Sequence, residues 1–354
     1  MRGLPEINIV FKTKGSTIIE RSSRGIVACI IKDDTADGLE FEVLNRLEDV
    51  DFTKYDAKNY SYLSLIFKGK PIKVIVVRIA TIATDYNAPL KKLKDLKWNY
   101  LTIPNILKSD VTTISSWIKT QREEFKKTFK AVLPQSTADH EGIINFTTDT
   151  IKTVDSKSFN CSEYCARIAG VLAGLSLARS STYFVLDDVI SAAVPDDPNE
   201  RINAGELIIV FDSTKYKIGR GVNSLTTFTP EKGEDFGKIK IIEGQDLYQD
   251  DIRSTFEDFY IGKVINDYDN KQAFIASINN YHKQLLGDVL DSSFQNIAKI
   301  NISAQRKYLE DKQIDISTMD DVAISQANTG STVFISSNVK FVDAMEDFNM
   351  EVNM

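Results

Sequence analysis

Two runs constrain this chain most: Gly25–Lys32 (G-I-V-A-C-I-I-K) and Ile72–Ile79 (I-K-V-I-V-V-R-I). Both read as buried strands, and the second is too continuously apolar for a strand with one wet face, which suggests a central strand covered on both sides. Around them β and α patterns alternate. Glu40–Val50 is mixed, and Thr53–Phe67 reads as a helix ended by Gly69 and Pro71. Tyr86–Lys97 reads as a helix and Trp98–Ile103 as a strand. Asp110–Lys127 is a helix with an Asp start signal and an apolar stripe at Ile114, Trp117, Ile118 and Phe125. Phe129–Leu133, closed by Pro134, and Gly142–Thr147 read as strands. Asn160–Leu175 is a helix with Asn160 as N-cap and Glu163 three residues on, a capping-box variant. This spacing predicts an α/β layer with a largely parallel sheet.

The turn cluster Pro195-Asp196-Asp197-Pro198-Asn199 marks a change of pattern. Glu206–Phe211 and Tyr216–Val222 read as a hairpin and Lys238–Ile242 as a strand. Long helices follow at Gln249–Asn266 and Lys271–Leu286, with shorter ones near Ser303–Lys312 and Met319–Asn328. A last strand stretch covers Thr332–Phe341. The second half is therefore α+β. The expected division is an arm at 1–20, an α/β domain at 21–195, an α+β domain at 196–342 and a second arm at 343–354.

Both ends carry strand patterns. Ile7, Ile9 and Phe11 alternate with Asn8, Val10 and Lys12; Phe348, Met350, Val352 and Met354 alternate with Asn349, Glu351 and Asn353. Period 2 marks a strand with one buried face, and a terminal strand frays unless a sheet edge holds it. The edges are in the same molecule or in neighbouring copies, by strand addition.

The formal net charge of -7 argues against bulk nucleic-acid binding. No apolar run approaches the ~18 residues of a membrane-spanning helix, and the first residues lack a signal-peptide core, so folding in a cytoplasm is expected. Cys29 reads as a small core residue, and Cys161 and Cys165 as helix packing rather than metal ligands. Enzyme constellations do not assemble. The phosphate-loop motif is absent, and A-G-V-L-A-G at Ala169–Gly174 reads as close helix packing. Asp267-Tyr268-Asp269-Asn270 begins like a calcium loop, but Gln272 and Ile278 replace the required Gly and Glu, leaving a polar turn between helices. His140 and His282 lack a nucleophile motif and read as structural or surface histidines. The acidic residues Asp246, Asp250, Asp251, Glu257 and Asp258 read as a solvated or partner-facing surface, with Arg253 and Lys263 as local counter-charges. Gly219 and Gly221 flank Arg220, which suggests close backbone approach or a bulge; Arg220 reads either as an anion-binding arginine or, the favoured reading, as buried against one of the chain's carboxylates.

Several segments together resemble contractile tail sheath proteins. They are K-I-G-R-G-V-N-S-L-T at Lys217–Thr226, with Arg220, Gly221 and Asn223 as the motif core, and H-E-G-I-I-N-F-T-T at His140–Thr148. D-I-R at Asp251–Arg253, D-F-Y-I-G-K-V-I-N-D-Y-D-N-K at Asp258–Lys271, Q-A-N-T-G-S at Gln326–Ser331 and D-A-M-E-D at Asp343–Asp347 extend the match. So do the openings G-L-P-E-I-N-I-V-F-K and E-R-S-S-R-G-I-V-A. The likeness is closest to the compact sheaths of clostridial phages and diffocin-type bacteriocins.

The resemblance implies a structural subunit, not an enzyme, with no catalytic residue, metal or cofactor. Subunits would stack as hexameric rings around a tail tube and link by exchanged terminal strands. They would contract from a metastable extended state to drive the tube through a target envelope. Ile7, Ile9 and Phe11 would fill the acceptor of one arm, and Phe348, Met350, Val352 and Met354 that of the other; Lys12–Ser16 would be a hinge. The 196–342 domain would face the tube, with contacts on helices between Gln249 and Lys312. Implied partners are further copies, the tube, the baseplate and a tail terminator, with no direct nucleic-acid or membrane contact. The particle would be a virion tail or an extracellular contractile device assembled in the host cytoplasm. A cytoplasmic α/β enzyme with an unrecognised metal or nucleotide site is the alternative, and a tail tube protein a third reading.

Overall fold

The computed structural model of the protein describes residues 18–22, 24–36 and 40–354. In chain order the first elements are β1 (Ile26–Lys32), β2 (Phe41–Leu44), α1 (Ala57–Lys68), β3 (Lys73–Ile79), α2 (Asn87–Lys94) and β4 (Tyr100–Thr102). Then come α3 (Lys108–Glu123), β5 (Lys130–Pro134), β6 (Ile143–Phe146), β7 (Ile151–Thr153), β8 (Ser158–Phe159) and α4 (Cys161–Gly174). These are followed by β9 (Val189–Ser191), α5 (Pro198–Asn203), β10 (Glu206–Leu207), β11 (Ile209–Phe211) and β12 (Tyr216–Ile218). The remainder is α6 (Ile239–Phe259), α7 (Tyr268–Leu285), β13 (Ile297–Ile300), α8 (Ile302–Asp311), α9 (Asp321–Gln326) and β14 (Ile335–Asn338).

Seven strands form the main sheet in the order β10-β6-β5-β4-β1-β3-β2. All pairings are parallel except β2 with β3, which is antiparallel at the edge. The two apolar runs become β1 and β3, paired from Ile26↔Lys73 to Lys32↔Ile79. Alternate side chains point to opposite faces of a strand. Val27, Cys29 and Ile31 therefore enter one core with α1 and α4, while Ala28 and Ile30 enter another with α2 and α3. Apolar cover on both faces explains why neither strand shows a wet alternate residue.

The expected capping box is present: Asn160 accepts from the Glu163 N–H, and Glu163 accepts from the Asn160 N–H. The glycines of A-G-V-L-A-G do bring backbones together. A Cβ on Gly170 would lie 2.1 Å from the Ile66 carbonyl oxygen, and one on Gly174 1.8 Å from that of Gly69.

Some expectations need correction. Lys238–Ile242 is not a strand; Ile239 begins α6. The Pro195–Asn199 cluster is only partly a turn, since Asp197 caps α5 and Pro198 occupies its first turn. Asp110 lies inside the first turn of α3, whose N-cap position is Leu107. Phe125 falls beyond that helix and is exposed, unlike Ile114 and Ile118. The hairpin is the short β11–β12 pair, because Glu206–Leu207 leaves it to join β6.

The chain divides into two compact units. One is Ser22–Gln249 with Phe341–Met354; the other is Asp250–Lys340 with residues 18–21. This differs from a boundary at 195/196: β10, on the far side of that boundary, is a strand of the main sheet. The second unit holds α7 to α9 and a two-stranded antiparallel ribbon, β13–β14, in register from Ile297↔Asn338 to Ile300↔Ile335. There Asp267 caps α7, as expected of a polar turn between helices.

Candidate assembly site: the acidic stem of the carboxyl-terminal arm

After β14 no further strand or helix is formed among the described residues. Phe348 (82% exposed), Met350 (69%), Val352 (66%) and Met354 (118%) all face solvent. The alternating apolar face thus has no cover among the described residues. Ile7, Ile9 and Phe11, and the hinge stretch Lys12–Ser16, lie outside the described residues.

The segment just before the exposed face is held tightly. Arg220 Nε donates to Glu346 at 2.9 Å, and its Nη2 donates to Asp347. Ser180 Oγ and Thr182 Oγ1 each donate to Glu346 at 2.7 Å. Lys238 Nζ lies 2.6 Å from Asp343. Hydrogen bonds from Arg220 to Glu346 and Asp347 raise its pKa, and the bond to Asp343 does the same for Lys238. Arg220 therefore meets carboxylates of its own chain, but at a partly exposed position with 38% of its side chain accessible, not a buried one.

The flanking motif residues build this clamp. Gly221 N–H donates to Thr182 Oγ1 at 2.8 Å, and a Cβ there would approach Ser181 Oγ to 2.6 Å. Asn223 is 1% exposed; its side chain donates to the Phe236 carbonyl at 2.7 Å and accepts the Leu225 N–H. The next motif segment packs alongside: Ser224 Oγ donates to the His140 carbonyl at 3.0 Å, and Asp139 accepts the N–H groups of Thr226 and Thr227. His140 is structural here, since its Nδ1 accepts the Gly142 N–H at 2.9 Å. The segments Lys217–Thr226, His140–Thr148 and Asp343–Asp347 thus share one contiguous network.

A second charge network was not foreseen. Asp246 takes a bidentate pair from Arg122 (2.9 and 3.2 Å) and Lys130 Nζ at 2.5 Å. Glu243 meets Lys130 at 2.9 Å and Arg24 at 3.3 Å. Burial raises the Asp246 pKa, but Arg122 and Lys130 outweigh it and bring it to about 2. Asp246 and Asp251 are 2% and 1% exposed, so the acidic residues are not uniformly a solvated face. The counter-charges of Asp246 come from Arg122 and Lys130, while Asp251 accepts from Tyr281 at 2.5 Å. A strand lysine inside the apolar run Phe129–Leu133 was the available signal, because a buried ammonium needs a paired anion.

Parallel sheets bind ligands at their carboxyl ends. An open groove of about 680 Å³ lies beyond β1 and β3, lined by Asp33, Asp34, Arg78, Asp85 and Lys92 among others. Its buried polar groups mainly serve the fold, with Arg78 Nε left without a hydrogen-bond partner among the described residues. Asp33 accepts from Thr35, Asp56 and Asn59, and Arg78 donates to the carbonyls of Lys54 and Ala36 while stacking over Tyr55.

Residues 81–224 match the phage tail sheath protein central domain, and 231–354 match the phage tail sheath C-terminal domain. The tail sheath protein of Clostridium phage phiCD119 is 39% identical over 367 aligned positions, covering 100% of both chains. A sheath tail protein from Desulfitobacterium hafniense has the same fold, with a TM-score of 0.72 and 16% identity over 83% of this chain and 93% of that one. So does the helical sheath of the anti-feeding prophage in its contracted state, with a TM-score of 0.71 and 14% identity over 100% of this chain and 99% of that one. The chain belongs to the phage tail sheath protein family.

Proposed function

We propose that the protein polymerises as stacked rings around a tail tube, with its terminal arms donated as strands to neighbouring copies. The exposed apolar face of Phe348, Met350, Val352 and Met354 carries this reading. A strand built for one-sided burial, yet uncovered among the described residues, matches a partner sheet elsewhere. The β13–β14 ribbon is our acceptor, through its β14 edge: two strands alone are marginal, and no strand pairs with that edge among the described residues, whereas Asn279 of α7 bonds the outward N–H and carbonyl of Ala298 on β13. The arm at 1–20 would supply a second donor through Ile7, Ile9 and Phe11. The Asp250–Lys340 unit, with its helices up to α8, would face the tube.

The subunit is structural, without catalytic activity. Contraction from a metastable extended sheath supplies the work, and the tube, baseplate and terminator are its partners. Assembly would take place in the host cytoplasm, and the finished particle would act as a virion tail or an extracellular contractile device.

Deletion of Phe348–Met354 tests the arm. The truncated subunit should stay folded, with an unchanged melting temperature, and give no long sheaths by negative-stain electron microscopy where the full chain does. Normal sheaths from the truncation would overturn strand donation.

A further inference from the structure

We propose that Arg220 and Lys238 set where the movable part of the carboxyl-terminal arm begins. The stem Asp343–Asp347 stays with its own subunit, and only the seven residues Phe348–Met354 are donated. The claim about the stem is local to the subunit; its consequence for assembly rests on the strand-donor reading above.

The stem is held at three of its five residues. Asp343 is tied to Lys238, Glu346 to Arg220, Ser180 and Thr182, and Asp347 to Arg220. Met345 between them points outward at 103% exposure, while Glu346 is 13% exposed at its side chain. That alternation marks a segment lying on a surface. Immediately beyond Asp347 every apolar side chain is exposed. The joint is therefore at Asp347/Phe348 and not at the unit boundary between Lys340 and Phe341.

The consequence is a length. Seven extended residues reach at most about 25 Å, whereas fourteen, counted from Phe341, would reach about 50 Å. The clamp thus confines the acceptor sheet of a neighbouring copy to within about 25 Å of the donor's Asp347. It also leaves less chain to order on docking, which lowers the entropic cost of association.

The three native thiols, Cys29, Cys161 and Cys165, are all buried, so a new surface cysteine can be labelled selectively. Nitroxide labels are placed at Met345→Cys and Asn349→Cys in the full-length, unassembled subunit. By electron paramagnetic resonance the label at 345 should be restricted and that at 349 fast. Adding Arg220→Ala with Lys238→Ala should shorten the correlation time at 345 by roughly threefold or more, to match 349. Glu346→Gln with Asp347→Asn, which alters only the stem, should do the same if the first pair perturbs folding. Raising the salt to about 1 M should loosen 345 in part, because the ion pairs are partly exposed. Equal mobility at 345 and 349 in the parent chain, or an unmoved 345 signal in both variants, overturns the clamp. These readings need no sheath. Failure of unlabelled protein to form sheaths would count against the assembly reading and leave the clamp result intact.

Discussion

Asp246 shows how a single side chain can hold an element. It sits near the start of α6 and gathers Arg122 from α3 and Lys130 from β5, all nearly inaccessible. Removing one partner of a buried pair leaves the others uncompensated. Asp246→Ala should therefore destabilise the subunit by about 3–5 kcal/mol, measured by urea unfolding. The pH dependence follows from the same contacts. The folded pKa, about 2, is below the ordinary carboxylate value. Ionised Asp246 thus stabilises the fold above about pH 4, and that contribution, on the order of 2 kcal/mol, is lost as the pH falls toward 2. In Asp246→Asn the slope of stability across that window should flatten. Residue identity was only half legible here. The acidic run was visible, but its counter-charges lie 116 and 124 residues away, and no local pattern announces partners at that distance.

At the scale of elements, legibility tracked length and local chemistry. β1, β3, α4 and its capping box follow from long runs and a side-chain cap that needs nothing beyond its own turn. Lys238–Ile242 misled because so short a run, K-I-K-I-I, fits either period, and burial of Ile239, Ile241 and Ile242 suits a helix as well as a strand. β13 was missed for a related reason: at four residues, with Ala298 and Ile300 buried and Ile297 and Lys299 exposed, it is too short to stand out. The glycine spacing of α4 was informative, since it fixes how near α1 can come. Gly170→Ala should cost about 3 kcal/mol or more, because the obstacle at 2.1 Å is a backbone carbonyl that cannot rotate away. A shifted urea midpoint with an unchanged slope would report it; an unchanged midpoint would mean that the helices separate freely.

For the whole molecule, the division at Gln249 rather than Asp196 reflects topology that sequence order hides: a two-residue strand returns to the main sheet after the turn cluster. The carboxyl-terminal arm was legible as a pattern and not as contacts, since its apolar face is exposed among the described residues. If Ile9 serves a neighbour, Ile9→Asp should block polymerisation and leave the melting temperature of the unassembled subunit nearly unchanged. A large drop would place Ile9 in its own core instead. The exposed arm also has a chemical side. Two of its four apolar residues, Met350 and Met354, are thioethers open to solvent, while every cysteine is sealed in the core. Oxidation to the sulfoxide would make that face polar. Peroxide would then spoil a free subunit as a building block without cross-linking it, whereas a docked arm would be shielded. On the strand-donor reading, resistance of Met350 and Met354 to oxidant would thereby record which copies had already found their neighbours.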